Sequence, residues 1–390
     1  MSPRSSGERT NVSYSIHLFI WCRGQQAAIV QIPRFRGFTP RNLGACLGAP
    51  LFSRASGFGS LFAIVEAEQG IESLAEVRRE SGFSLTVFSP YTLIPFAVMN
   101  RVYNCAANLS GDCQFGVRVG QAVRLEDFGP FVEYALRGQT LAELIGRAIT
   151  AQPLHSSELV MDLYVIGAVA RWRIRYRTNV EPSVEHHAQR SLMQMLSAVR
   201  RAPWARSDEI EIHVAEPYAA EARLLESRLD MRVVPRTNDY ELAFPARWLG
   251  NATPIPDGPP DLPVEALAAY RDRPLPARMA EAVLVALELH EDLPRAGIDV
   301  TAAEFGLPRR SLQHALQCEG ASYRDIVLRL RMRRARQLLA NTEESLAEVA
   351  LRTGYANLSN FHRVFLSLNG ITPGRFRGAS RGLGSNLAPG

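Results

Sequence analysis

The chain has 390 residues, 46% of them hydrophobic and 21% charged, with a formal net charge of +5. That length exceeds one ordinary core and asks for two domains, and the balance excludes a disordered or fibrous chain. No apolar run approaches the ~18 residues a membrane span needs, and the modest positive charge permits nucleic acid as a partner without requiring it. All 44 basic residues are arginine. Codon usage in a GC-rich bacterial genome accounts for that, so arginine placement carries the argument rather than arginine number.

Residues 1–45 come first and read as a poorly ordered leader, or as the product of a start codon placed too far upstream. Up to Val65 the only acid is Glu8, set against seven arginines and many Ser and Gly. This acid-poor composition has the look of a transit peptide, but "IHLFIWC" (Ile16–Cys22) is too short for a signal-peptide core. No function is assigned to it.

Residues 46–250 alternate between helical and strand periods, which predicts an α+β domain. "LAELIGRAI" (Leu141–Ile149) has helical spacing behind a capping Thr140. "RWRIRYR" (Arg171–Arg177) alternates strictly, with Trp172, Ile174 and Tyr176 on one face and four arginines on the other, as a half-buried antiparallel strand does. "EIEIHV" (Glu209–Val214) predicts a strand, "AAEARLLESRL" (Ala219–Leu229) a helix, and "YELAFP" (Tyr240–Pro245) a closing strand. The adjacent His186 and His187 cannot both face one site from a regular element, and an exposed helix start suits them better. Tyr164, Trp172 and Tyr176 are candidates for a pocket lining, against the commoner role of aromatic side chains as core.

"NATPIPDGPPDLP" (Asn251–Pro263), with Pro274 and Pro276 beyond it, is too proline-dense for helix or central strand and predicts a semi-rigid linker over 251–276. Residues 277–378 then read as all-α, with helices near 276–289, 299–305, 308–318, 322–340, 345–353 and 358–368. Pro373 is expected to start a final short turn, and 379–390 to form a flexible tail.

A repeat lies inside the helical part. Ala302 stands four residues before Gly306 and Leu312 six after it; Ala350 stands four before Gly354 and Phe361 seven after it. A small residue facing its partner helix, a glycine that ends the helix, and an apolar anchor on the next helix make helix-turn-helix logic, twice. Between the units, "YRDIVLRLRMRRARQLLA" (Tyr323–Ala340) is expected to turn Tyr323, Val327, Leu330, Ala335, Leu338 and Leu339 inward. Its arginines 329, 331, 333, 334 and 336 are expected mostly outward. A helix of that length spans roughly 28 Å, which allows two recognition helices about one turn of B-DNA apart, ~34 Å.

"LRMRRARQLL", "SLAEVALRTGY", "SNFHRVF" and "NGITPGRFR" closely resemble the DNA-binding domain of AraC-type transcriptional regulators, from about Ile298 to Arg377. The first unit departs from the family pattern: Pro308 stands where a capping Ser is common, and His314 where arginine is frequent. "FGVRVGQAVRLEDFGPFVEYALRGQTLAELIGRAI" (Phe115–Ile149) and "YELAFPARWL" (Tyr240–Leu249) resemble the arabinose-binding-type N-terminal domain of the same family. The resemblance implies an α+β sensor or dimerisation domain joined by a Pro-rich linker to an all-α domain with two helix-turn-helix units. It also implies double-stranded promoter DNA, RNA polymerase and a small-molecule effector as partners, a homodimer, and a cytoplasmic location without cofactor or membrane.

Base readout needs polar side chains on the groove-facing half of each recognition helix. The candidates are Arg309, Arg310, Gln313, His314 and Gln317 in the first unit, and Asn357, Ser359, Asn360, His362 and Arg363 in the second. Asn357 or Ser359 has a helix cap as its alternative role. Arg331 and Arg334 are candidates for phosphate contact or for bracing the fold. Two rivals stand beside the effector-controlled regulator: a constitutive DNA-binding protein whose front domain only dimerises, and an enzyme with an appended helix-turn-helix domain. Against the enzyme, the five cysteines at 22, 46, 105, 113 and 318 form no C-x-x-C or zinc spacing, and no nucleophile or phosphate-loop motif stands out. An odd, scattered set of cysteines fits a reducing compartment.

Overall fold

The computed structural model describes residues 15–19, 29–33 and 50–384, apart from 84–87, 178–182, 216–218, 237–238, 257–266, 268–269, 271 and 291–296. Contacts divide the chain into two compact units. The first gathers Met1–Asn42, Ser53–Leu74 and Tyr103–Leu275; the second gathers Leu43–Phe52, Ala75–Val102 and Pro276–Gly390. The linear boundaries at 250 and 277 therefore miss one feature: residues 75–102 belong with the C-terminal helices. Most of the expected leader lies outside the described residues. Within it, β1 (Ser15–Phe19) and β2 (Ile29–Pro33) form an antiparallel pair.

Chain order continues with β3 (Phe52–Arg54), α1 (Leu61–Gln69), α2 (Ile71–Ser81), β4 (Leu93–Pro95), α3 (Phe96–Ser110), α4 (Phe115–Ala122), α5 (Pro130–Leu136) and α6 (Leu141–His155). Then come β5 (Leu159–Ile166), β6 (Val169–Tyr176), α7 (Glu185–Arg200), β7 (Glu211–Ala215), α8 (Ala219–Leu229), β8 (Arg232–Arg236) and β9 (Tyr240–Pro245). In the first unit β5 to β9 make one sheet of order β5-β6-β9-β7-β8. Only β7 and β8 pair in parallel, and α8 supplies the crossover such a pair requires. The segment expected as a closing strand, β9, in fact lies third of five. A central strand is covered on both faces, which is why its first five residues are all buried.

The alternation in β6 works as expected. Trp172 and Ile174 are buried, while the arginines on the other face meet acids on neighbouring strands. Arg173 reaches Asp162 at 2.8 Å and Asp239 at 3.1 Å, and Arg175 reaches Asp162 at 3.0 Å. Arg171 pairs with Glu241, whose other oxygen accepts from the Tyr164 hydroxyl at 2.7 Å. Hydrogen bonds from His213, Tyr164 and Arg171 outweigh burial and hold Glu241 down to about 2.

Two helices set the inner geometry of this unit. The Thr140 side chain caps α6, accepting from the Glu143 amide at 3.2 Å. Helix α4 lies against α7 through glycines: a Cβ on Gly116 would sit 2.0 Å from the His186 carbonyl oxygen, and one on Gly120 would sit 2.6 Å from Met193 Cβ. The expected exposed helix start at His186–His187 is therefore corrected, because close approach of α4 buries His187 completely.

The expected linker is also tied down where it is described. The Leu141 amide donates to the Asn251 carbonyl at 3.1 Å, and Thr253 Oγ1 donates to the Gly138 carbonyl at 2.7 Å. At the far end, fully buried Arg54 donates to the carbonyls of Leu154, Tyr270 and Arg273 at 3.1, 3.3 and 2.7 Å, with its guanidinium 4.0 Å from the centre of the Tyr270 ring. Residues 257–266, the proline-dense middle, lie outside the described residues.

The second unit carries α9 (Met279–Glu288), α10 (Ile298–Glu304), α11 (Arg309–Cys318), α12 (Tyr323–Asn341), α13 (Leu346–Arg352), α14 (Leu358–Asn369) and α15 (Pro373–Gly384). Where a final short turn and a tail from 379 were expected, α15 runs on to Gly384. Phe376 explains this, since it packs on the core formed by Leu339, Val349, Phe361 and Phe365 and gives the last helix a buried face.

Gly116→Ala should lower the stability of the chain by about 2–3 kcal/mol or more, because the obstructing atom is backbone and only separation of the helices relieves it. Gly378→Ala, where a Cβ would meet nothing within 4 Å, should instead raise stability by roughly 0.5–1 kcal/mol. Urea unfolding of the two variants checks both signs.

Candidate nucleic-acid interface

Each helix-turn-helix unit is built around one way of stopping a helix. In the first, the Leu307 amide donates to the Ala302 carbonyl at 2.9 Å and the Gly306 amide to the Ala303 carbonyl at 3.0 Å. In the second, Tyr355 donates to Ala350 at 2.9 Å and Gly354 to Leu351 at 3.0 Å. This paired arrangement satisfies the end carbonyls and needs a left-handed residue, and the two glycines have φ of 65° and 84°. Within the same unit Arg101 Nη1 donates to the Ala303 carbonyl at 2.8 Å, and the Phe52 and Phe305 rings meet edge-on at 5.9 Å. The first turn is thus held partly by residues far upstream in the chain.

The recognition helices then follow from their anchors. On α11, Leu312, Ala315 and Leu316 are buried, while Arg309, Arg310, Gln313, His314 and Gln317 are all exposed. Pro308 occupies the N-cap and makes no side-chain cap bond. Arg309 is partly engaged with Asp299 at 3.1 Å, and His314 Nε2 lies 3.7 Å from Cys318 Sγ. Arg310, Gln313 and Gln317 thus form the open polar stripe of this helix.

On α14, Phe361 and Phe365 are fully buried, with their rings 5.6 Å apart. Asn357, Ser359, Asn360 and Arg363 are exposed. Asn357 is the N-cap, its side-chain oxygen accepting from the Asn360 amide at 2.8 Å. Arg363 donates to Asn360 Oδ1 at 3.1 Å, so the two present a joint polar edge. His362 differs from the others: it is half-buried beside Phe361, and its Nε2 is buried without a hydrogen-bond partner.

The basic helix α12 departs most from expectation. Its buried residues are Ile326, Leu330, Met332, Ala335, Leu338 and Leu339, with Tyr323 and Val327 only half-buried. Arg329 is exposed, but Arg331, Arg333, Arg334 and Arg336 are half-buried rather than outward. Arg333 pairs with Glu288 of α9, and Arg336 donates to Asn369 Oδ1 of α14 at 2.8 Å. Arg331 places its guanidinium 5.8 Å from the Tyr355 ring centre. Helices α9, α13 and α15 pack against α12, so a long arginine finds a protein partner before it finds solvent.

Residues that the periodicity did not single out complete the frame. Ser345 and Glu348 form a reciprocal capping box on α13, and Arg377 donates to the Glu344 carbonyl at 2.6 Å, fixing the approach to it. The S-x-x-E spacing was the available signal for the first; nothing local announces the second.

Comparison with known proteins agrees with this geometry. Residues 301–379 match a helix-turn-helix domain family, and residues 73–252 match the arabinose-binding domain of AraC transcription regulators. The ornithine utilization regulator of Pseudomonas aeruginosa is 23% identical over 326 residues, covering 80% of this chain and 91% of that protein. The transcriptional activator NphR of a Rhodococcus species is 32% identical over 84 residues, covering 22% of this chain and 25% of its own. Among solved structures, the transcriptional regulator CdpR from Pseudomonas aeruginosa is 17% identical, covers 78% of this chain and 96% of its own, and superposes with a TM-score of 0.37. With both domain families matched in this order, the chain belongs to the AraC-type transcriptional regulators, as a sequence-specific DNA-binding protein that carries an arabinose-binding-type domain ahead of its two helix-turn-helix units.

Proposed function

We propose that the chain regulates bacterial promoters by laying α11 and α14 into successive major grooves, under control of a small-molecule effector bound in the first unit. The observation that carries this reading is the duplicated turn. Two helices, each pinned by buried apolar anchors behind a left-handed glycine, expose a polar stripe on the side away from those anchors. Arg310 and Arg363 suit guanine, whose O6 and N7 accept two parallel bonds; Gln313, Gln317 and Asn360 suit adenine. Ser359 and His314 are secondary contacts, and Arg309 reads DNA only after leaving Asp299. Arg329 is the best-exposed candidate on α12 for phosphate, whereas Arg331 and Arg334 act as braces. RNA polymerase and a second copy of the chain are the protein partners proposed for this activity.

Arg310→Ala and Arg363→Ala should each weaken operator binding by roughly 1–3 kcal/mol, and affinity should fall steeply with salt through counterion release. Gel-shift affinities unchanged in both variants would remove these two from the readout. Asn357 separates capping from reading. Asn357→Ala should cost about 1 kcal/mol of stability and weaken binding, while Asn357→Ser restores both because serine caps as well. Restored melting without restored binding would make Asn357 a base contact instead. A dimerisation-only front domain predicts no melting response to any metabolite, whereas an effector raises the melting temperature by mass action.

A further inference from the structure

The first unit holds a pocket of about 60 Å³ between α5, α6, α7 and the sheet. A buried water needs roughly 10–15 Å³ measured this way, so the space suits a small organic molecule rather than a packing defect. Its walls are mostly apolar, from residues such as Leu125, Phe131, Leu144, Trp172 and Met195. The lining residues also carry polar atoms that the protein leaves unsatisfied. Trp172 Nε1, Arg190 Nε and Gln194 Nε2, all donors, are buried without a hydrogen-bond partner, as are Ser53 Oγ and both carboxyl oxygens of Glu158. Glu158 is 0% exposed and Arg190 4%.

Arg190 is the unusual member. Its Nη2 donates to His187 Nε2 at 2.6 Å and its Nη1 to Gln194 Oε1 at 2.8 Å. Because a guanidinium only donates, the His187 ring proton sits on Nδ1, facing the Tyr176 hydroxyl at 2.7 Å. Burial and the Arg190 charge hold His187 well below its ordinary range and His155 down to about 3, so both rings are neutral. No carboxylate lies within ion-pair distance of Arg190 among the described residues. Glu158 feels the Arg190 charge, and burial pushes its carboxyl up to about 7. Its own backbone amide, the Ser156 hydroxyl, the Arg190 charge and the Ser53 hydroxyl lower it only in part. Tyr176 is also pushed upward by burial, and so stays neutral. A buried guanidinium with no carboxylate in ion-pair contact among the described residues is a charge that an anion would stabilise.

We propose that this cavity is the effector site and that it takes a small monocarboxylate with an apolar body, its charge met by Arg190 and its oxygens by Trp172 and Gln194, with Glu158 beside them. The donor inventory decides against an amine: three orphan N–H groups need acceptors, and a cation would be left beside Arg190. The assignment rests on the effector-controlled reading and supplies its ligand class.

The test uses the full chain, with acetate through octanoate and benzoate as probes and the matching amines and alcohols as controls. Melting temperature and calorimetric binding are read at several pH values. Carboxylates should raise the melting temperature and the controls should not. Arg190→Gln should lose at least tenfold in affinity. Glu158→Gln, which copies the protonated acid, should keep binding and lose its pH dependence; in the wild type, affinity should fall up to tenfold per pH unit above about 7 as Glu158 ionises. Ala148→Leu, which fills the cavity without touching a polar group, should abolish binding while the chain stays folded, and guards against Arg190→Gln failing to fold. Response to amines or alcohols, lost in Ala148→Leu but indifferent to Arg190→Gln, would overturn the carboxylate class and leave effector control standing. Carboxylate binding that survives Ala148→Leu would overturn the site. No response to any probe would overturn the proposal, and operator binding that responds to some other metabolite would then show that effector control itself holds.

Discussion

A helix that must stop and restart within a few residues leaves carbonyls without partners, and the second unit is organised around that constraint. In both helix-turn-helix units an alanine carbonyl accepts from the amide five residues on, and a glycine with positive φ makes the reversal possible. Everything offered to DNA follows from it. Once the turn is fixed, Leu312 in one unit and Phe361 in the other are driven into the core, and the opposite stripe of each recognition helix faces out. Duplicating the turn duplicates the presentation, so two reading surfaces come from one local solution.

Arginine supplies every lysine-like role in this chain, and its meaning is set by its partners. Arg173 and Arg175 hold strand to strand through Asp162, Arg336 ties α12 to α14, and Arg54 collects three backbone carbonyls. A half-exposed pair such as Arg175 with Asp162 contributes little singly, but a planar fork with five donors can bind several acceptors at once, as Arg54 does. Arg310 and Arg363 outside and Arg190 inside differ from these, because each carries charge that no carboxylate among the described residues meets in an ion pair. Net charge could not distinguish them, and the partner of each guanidinium does.

The helical unit was largely legible from sequence because its signals are local. Glycine position, alanine four residues earlier and the apolar period define both turns without long-range information. The final helix was missed beyond 378 because its support is Phe376 packing on a distant core. The first unit was legible as elements and not as an arrangement. The period of β6 was plain, yet nothing in "YELAFP" says that the last strand inserts between β6 and β7, since strand order depends on pairing across the chain. The arginines of α12 depart from the period of their helix for a similar reason, because outward on an isolated helix is inward once neighbouring helices close around it. The cavity was least legible of all. Trp172 stands out in sequence as an aromatic on a strand face, but Glu158 and Arg190 carry no local mark of burial, which depends on the close approach of α4 and α7 at the glycine seam.

Buried polar groups left unpaired are costly, and a core selected for stability alone would replace them with aliphatic side chains of similar volume. The first unit instead keeps a carboxyl, a guanidinium, an indole and an amide around one apolar space, each with an atom unsatisfied. A ligand can shift a conformational equilibrium only by its differential affinity for the states involved. Here the polar atoms come from β6, α7 and the segment joining α6 to β5, so a molecule that satisfies them together binds only the arrangement in which those elements converge. Under the proposed effector reading, the unsatisfied groups around the cavity are what would make that arrangement sensitive to a small molecule.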